Sequence, residues 1–186
     1  MADTEDVGAD PAAEVSRFRI FRAREAAMLD ELHMPTQNVT PVDAAGIAES
    51  GAAGAGEGAM AKLLFADPVS GMSLGYVWFK PGFVLPRHSH DADCAYYVIS
   101  GEAHLGTEVL RAGDGFFVPA GHNYQYTAGP EGVEVLECRN ATRFNLRLSG
   151  NGAAAWRRVA DAALANRDRW RELEPPPAAA RMPAEG

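Results

Sequence analysis

The chain has little cysteine, no long apolar run and no surplus of basic residues, and each shortage excludes a class of protein. Its two cysteines, Cys94 and Cys138, cannot build a disulfide framework in 186 residues, so both are expected as thiols. No stretch approaches the roughly 18 consecutive apolar residues of a membrane span. Met1 to Asp6 is acidic where a secretory leader would be basic, and the expectation is a soluble cytoplasmic protein. A formal net charge of -8 argues against a broad grip on nucleic acid or on an anionic membrane, leaving small-molecule or protein partners. The sequence also lacks a P-loop, a glycine-rich dinucleotide motif, a Ser/His/Asp order and a Cys-x-x-Cys pair.

What remains is an ordinary globular composition, 47% hydrophobic and 23% charged, enough for one sizeable core with appendages. Three regions are expected: residues 1–59, 60–148 and 149–186. In the first, the opening dozen residues read as a mobile tail, Arg17 to Arg22 as an edge strand and Ala23 to Leu32 as helical. Asp43 to Ala59, with five glycines among alanines, reads as a flexible loop. From Lys62 onward, short apolar runs alternate with turn residues, which is an all-β pattern. Strands are expected at Ala61 to Phe65, Met72 to Phe79, Phe83 to His90, Cys94 to Ile99, Ala103 to Leu105, Phe116 to Val118, Asn123 to Ala128 and Val133 to Arg139. Gly101 and the segment Gly129 to Gly132 are expected to turn the chain. After Gly152 the spacing of Trp156, Val159, Ala163, Trp170 and Leu173 predicts a helix capped by Asn151, followed from Pro175 by a Pro/Ala-rich disordered tail.

His88-Ser89-His90 falls on an expected strand, where alternate residues share a face, so both imidazoles can enter one space as a metal clamp. Gly82, His88, His90 and Gly101 keep the spacing of one glycine/histidine motif, and Gly113, Asp114, Pro119 and Gly121 keep that of a second. On these residues the sequence resembles the cupin family. The resemblance implies a single jelly-roll β-barrel, all-β, with a flexible N-terminal segment and a C-terminal helix. It also implies one divalent transition metal per chain, from iron, zinc, manganese, nickel or copper, held by His88 and His90.

Two positions depart from the family pattern. Cys94 stands where the family has glutamate; it is either a thiolate ligand or a small buried residue that vacates the position. Tyr124 stands where the family has its second-motif histidine, as a phenolate ligand, a hydrogen-bond donor to substrate or barrel filling. His122, one pleat earlier, could supply the missing imidazole or cap the turn after Gly121. Tyr96 and Tyr126 share the inward parity, and Tyr96 and Tyr124 are the candidate proton donors or acceptors. Asp91 and Asp93 are alternative carboxylates, more in keeping with a solvated turn.

The function these readings favour is a metal-dependent oxidoreductase of the dioxygenase kind acting on a small organic substrate in the barrel. The alternatives are a non-catalytic ligand-binding or sensor module with a degenerate metal site, and a cupin isomerase or lyase. Tyr76 to Phe79 places apolar groups on both faces of one strand, which calls for cover on its outer side. A homodimer is the expected cover, with the chain's own N-terminal strand or C-terminal helix as the alternative.

Overall fold

Strands form where successive residues turn to opposite faces of an extended chain; Cys94, Tyr96 and Val98 are buried while Ala95, Tyr97 and Ile99 are exposed. The computed structural model describes residues 16–180. In chain order the elements are β1 (Ala27–Met28), β2 (Thr36–Gln37), α1 (Pro41–Ala52), β3 (Ala59–Asp67), β4 (Met72–Phe79), β5 (His88–Ser89) and β6 (Cys94–Leu105). They continue with β7 (Glu108–Arg111), β8 (Gly115–Val118), β9 (Thr127–Arg139), β10 (Leu146–Leu148) and α2 (Ala153–Glu172). The acidic tail expected over the first dozen residues lies outside the described part.

One sheet has seven strands in the order β1-β3-β4-β9-β6-β7, with β8 also on β6; a second has three, β2-β10-β5. Single bridges Val84–Thr127 and His88–Tyr124 fasten the segment between β4 and β5 to the approach of β9. The two sheets enclose an interior of Val77, Tyr96, Val98, Ala103, Val133 and Val135, all at or below 4% exposure. The all-β barrel with a C-terminal helix is therefore the fold observed.

Several local expectations fail for identifiable reasons. Gly101 does not reverse the chain, because β6 runs through it. The residue has φ 73° at a shift of register against β9, and a Cβ there would stand 2.0 Å from the Gly132 carbonyl oxygen. Gly129 to Gly132 likewise lies within the unbroken β9. Both glycines serve as bulges that bend paired strands. The Phe83 to His90 segment is a strand only at His88–Ser89, and β7 had not been expected. In the N-terminal region, Arg17 to Arg22 is not a strand, and Ala23 to Leu32 holds only a 3-10 turn at Ala23–Glu25 and β1.

The largest correction is α1, where a flexible loop was expected. Thr40 and Asp43 cap the helix reciprocally, and Pro41 opens it. Gly46 within it is a packing seat: a Cβ there would lie 2.0 Å from Trp156 Cγ. The indole of Trp156 then donates to Asp43 Oδ1 at 3.0 Å, locking α1 onto α2. Gly58 seats Trp170 in the same way, with the ring 2.6 Å from a hypothetical Cβ. At Gly46 and Gly58 the missing side chain marks close approach, which a single-sequence reading takes for looseness. At the start of α2 the cap position is Gly152, while Asn151 pairs with both backbone groups of Arg87.

On β4, Val77 and Phe79 face the core while Tyr76 and Trp78 face out. Met60, Leu64, Leu136, Leu173, Ala178 and Ala179 cover the outer pair. The reason for expecting a homodimer at this strand is thus met within one chain. Beside this cover the Lys62 ammonium is buried, donating to the carbonyls of Ala23 at 2.9 Å, Ala178 at 3.1 Å and Ala180 at 2.9 Å.

Candidate metal centre and cavity

The segment after β4 is held against the residues before β9 by backbone bonds: Leu85 N to Tyr126 O, and His88 and Tyr124 to each other in both directions. This pairing sets His88, His90 and Tyr124 side by side within the barrel. Both imidazoles are buried, with ring centres 4.9 Å apart and planes at 74°. His88 Nδ1 lies 2.8 Å from the Pro86 carbonyl, and His90 Nδ1 bonds the Asn145 carbonyl. A carbonyl only accepts, so each Nδ1 carries the proton and each Nε2 presents a lone pair. Both lone pairs meet the Tyr124 hydroxyl, at 3.0 Å from His88 and 3.3 Å from His90.

Burial, and then the charge of its neighbour His90, pushes the His88 pKa down to about 4. Burial, and then Arg139, does the same to His90, also to about 4. Both rings are therefore neutral near pH 7, the form that binds a metal.

Behind Tyr124 runs a chain of donors. The Tyr96 and Tyr124 hydroxyls are 2.5 Å apart, and Arg139 Nη2 lies 3.3 Å from the Tyr96 oxygen. Arginine only donates, so the Tyr96 oxygen accepts from it. The Tyr96 proton then goes to Tyr124, and the Tyr124 proton to one imidazole. One histidine Nε2 is left without a proton from this chain. Burial, followed by the Glu137 charge, keeps both phenols protonated well above the usual tyrosine range. Arg139 also pairs with Glu137, Nη1 to Oε2 at 2.7 Å, with 2% and 8% of the two side chains exposed. Its guanidinium lies 4.0 Å from the centre of the Phe144 ring. Burial opposes the arginine's charge, but the Glu137 carboxylate together with Tyr96, Cys94 and Tyr124 outweighs it and raises the pKa.

His88, His90, Tyr124, Glu137 and Arg139 form one end of a cavity of about 230 Å³. Its remaining wall is apolar, including Leu29, Val77, Phe79, Phe83 and Leu146. Leu29 comes from the segment between β1 and β2, so the N-terminal region contributes to the site.

Of the residues singled out from the sequence, His88, His90, Tyr96 and Tyr124 come together. Cys94 does not join the histidines. Its thiol bonds the Ala95 carbonyl at 3.7 Å, and burial pushes its pKa up to about 12, so it is a neutral packing group. His122 is exposed and ends the turn that Gly121 makes at φ 77°, bonding Pro119 through its backbone. No strand passes through it, so the shared parity with Tyr124 does not hold. Tyr126 packs against Phe79 and Phe116, and its buried hydroxyl has no partner among the described residues. Asp91 accepts from Asn145 N at 2.8 Å and Asp93 from Ala120 N at 2.8 Å, both fixing loops.

Glu137, Arg139 and Asn145 were missed. The first two had a legible signal, since Val133, Val135, Glu137 and Arg139 alternate on one face and so carry two charges inward. Asn145 acts on His90 through its main chain and leaves no side-chain signature.

Among the described residues there is no group of three or more His, Cys, Asp or Glu able to hold a metal. The third donor beside the two histidines is a tyrosine. Neighbouring donors around a tetrahedral divalent ion with bonds of about 2.0–2.1 Å stand about 3.3 Å apart. The separations of 3.0 and 3.3 Å from Tyr124 oxygen to the two Nε2 atoms are close to that value. Two neutral imidazoles of fixed tautomer beside one phenol oxygen are the donors that such an ion would use.

A family model described as the ChrR cupin-like domain matches residues 48–141. Three solved structures illustrate the likeness. An RmlC-like cupin from Shewanella frigidimarina NCIMB 400 is 26% identical, over 45% of this chain and 76% of that one, with a TM-score of 0.40. A cupin-like protein of unknown function from Ralstonia eutropha JMP134 is 26% identical, over 60% and 76%, with a TM-score of 0.42. The polyketide cyclase RemF from Streptomyces resistomycificus is 20% identical, over 53% and 76%, with a TM-score of 0.46. No curated protein matches the chain. No helix among the described residues is long and apolar enough to cross a membrane.

Proposed function

The chain belongs to the ChrR cupin-like family of the cupins, and from that premise we propose that it is a metal-dependent oxidoreductase of the dioxygenase kind, acting on a small organic substrate in the barrel. His88, His90 and Tyr124 are the residues that would hold the ion. The observation that carries the reading is the surplus of acceptors: two Nε2 lone pairs face one hydroxyl, which has one proton to give. A cation removes that imbalance. When bound, such a metal supplies a Lewis acid with open positions and, if redox-active, electrons for oxygen chemistry.

The protein's own residues do the rest. Pro86 and Asn145 fix the imidazole tautomers, the apolar wall excludes water, and Arg139 through Tyr96 directs a hydrogen bond at the Tyr124 oxygen. Metal analysis of protein produced with supplemented iron, manganese, nickel, copper or zinc tests the reading. About one ion per chain is expected, lost in His88→Ala, with oxygen consumption on substrate addition. Wild-type protein that stays metal-free after supplementation would end the proposal.

The donor chain from Arg139 to one imidazole is continuous without any ion, and this favours a second reading, a ligand-binding module without catalysis. Ligand-induced thermal stabilisation that persists unchanged in chelator supports it, and stabilisation that vanishes on metal removal refutes it.

A further inference from the structure

One wall of the cavity is held far less firmly than the rest. Residues 27–37, from β1 to β2, cross from β3 of the larger sheet to β10 of the smaller one and supply Leu29 and Met34 to the lining. A ladder of two residue pairs fastens each end: Ala27 and Met28 on Leu63 and Lys62, and Thr36 and Gln37 on Leu146 and Arg147. No residue from Ser16 to Val42 is buried, whereas another wall comes from β4 and β9, strands of 8 and 13 residues rooted in the core. Short ladders and few buried contacts mark a unit that opens well below the free energy of global unfolding.

This strap is braced to move as one piece. The Asp30 carboxylate accepts from the main-chain N–H groups of Leu32 and His33, both at 3.1 Å, and Glu31 accepts from Thr36 N at 2.9 Å and Thr36 Oγ1 at 3.0 Å. Beyond its ends the chain is anchored, at the Ala23 carbonyl by Lys62 and at Thr40 by the reciprocal cap with Asp43. Between β2 and that cap stands Asn38, whose φ of 56° makes it the one non-glycine residue of positive φ among the described residues. Asparagine tolerates this left-handed conformation, and a change of dihedral there redirects the strap while both anchors stay in place.

We infer that residues 27–37 are the gate of the cavity, opening about Asn38 to admit a compact apolar ligand, and that their closure steadies Asn145 against His90. Inside the closed strap His88 and His90 are only 3% and 4% exposed. The strap grips the segment that carries Asn145: Phe144 N donates to His33 O and Leu146 N to Pro35 O, each at 3.0 Å, and Asn145 Nδ2 donates to Gln37 Oε1 at 3.2 Å. Asn145 N is held separately, by Asp91. The Asn145 carbonyl in the middle of this segment fixes the His90 tautomer. The inference rests on the cavity being the ligand site, as in the proposed function, but it does not require the metal.

The test uses full-length protein in chelator and reads amide hydrogen exchange by NMR. The amides of Leu29, Phe144 and Leu146 bond across the gate, to the carbonyls of Ala61, His33 and Pro35, while those of His88 and Tyr124 bond each other on the fixed wall. The first three are expected to exchange together and about 100-fold or more faster than the second two. Asn38→Val strains the closed backbone, because a β-branched residue is a poor fit at positive φ. It should speed the three gate amides about tenfold further and leave His88 and Tyr124 unchanged.

Access is tested with a staple, Ala27→Cys/Leu63→Cys, made with Cys138→Ser to remove the exposed native thiol. The two positions are directly opposed on antiparallel strands, about 4.5–5.5 Å apart, within the span of a disulfide. Toluene is the probe, since an apolar cavity of about 230 Å³ has room for a single aromatic ring. Oxidation should slow the gate amides toward the fixed-wall rate and cut the toluene association rate at least about tenfold, and reductant should restore both. Gate amides as slow as those of His88 and Tyr124 overturn the inference, as does an oxidised staple that takes up toluene at the reduced rate, or wild type that binds no toluene. Should the disulfide not form, exchange in wild type and Asn38→Val decides alone. Every readout is taken without metal, so a wild type that never binds an ion ends the metal reading and leaves the gate standing.

Discussion

Lowering the pH should unfold the metal-free protein in a window set by two histidines. In the folded state His88 and His90 have pKa values of about 4, and in the unfolded chain the ordinary value of 6.5 returns. Between those limits the unfolded state binds more protons, so stability falls as pH falls; above 6.5 the contribution is fully present. With those two values, linkage gives a loss of about 2 kcal/mol per histidine on going from pH 7 to pH 5, and about 4 kcal/mol for the pair. That is a large part of the roughly 5–15 kcal/mol of an ordinary domain. The buried Asp43 carboxylate does not share the window. At Asp43 burial works upward, but hydrogen bonds from Thr40 and Trp156 outweigh it and hold the group below 3.8, so its contribution is lost only at lower pH. The measurement is urea denaturation at pH 7, 6 and 5 in chelator, for wild type, His88→Gln and His90→Gln. Each variant should lose about half of the pH dependence. A wild-type midpoint that stays level from pH 7 to 5, or variants as pH-sensitive as wild type, would refute the reasoning.

Three further outcomes are expected. Gly46→Ala forces a methyl into the Trp156 ring and should cost roughly 1–3 kcal/mol, read as a lower thermal midpoint with loss of helical signal. Thr40→Ala removes one half of the reciprocal cap of α1 and should cost about 1 kcal/mol by urea titration, with metal binding unchanged. Arg139→Met alone should destabilise by about 3–5 kcal/mol, and Glu137→Gln in the same chain should restore much of it, which a denaturation double-mutant cycle measures.

The sequence made the barrel legible because its signals are local. Met72 to Phe79 is a short, largely apolar run closed by Pro81-Gly82, and it is a strand over that same span. The histidine pair was legible for the same reason, since residues two apart on an extended chain point the same way whatever surrounds them. What could not be read depends on partners distant in sequence. Gly46 and Gly58 look like loop residues until Trp156 and Trp170, more than a hundred positions later, occupy the space that their missing side chains leave. Cys94 and His122 were weighed as ligands on register alone. One is turned into the packed core by its strand, and the other is placed outside by a glycine turn that interrupts the alternation. Glu137 and Arg139 had the parity to be noticed, but strand charges are read as outward unless both partners are considered together.

The carbonyls of Ala23, Ala178 and Ala180 that Lys62 gathers come from segments far apart in the chain. A single ammonium thus works as a knot between the incoming and outgoing ends. Trimming the later segment would strip it of two oxygens, admit solvent over Tyr76 and Trp78, and slacken the earlier turn some 150 positions away. Altering either of these two segments is therefore an intervention at both.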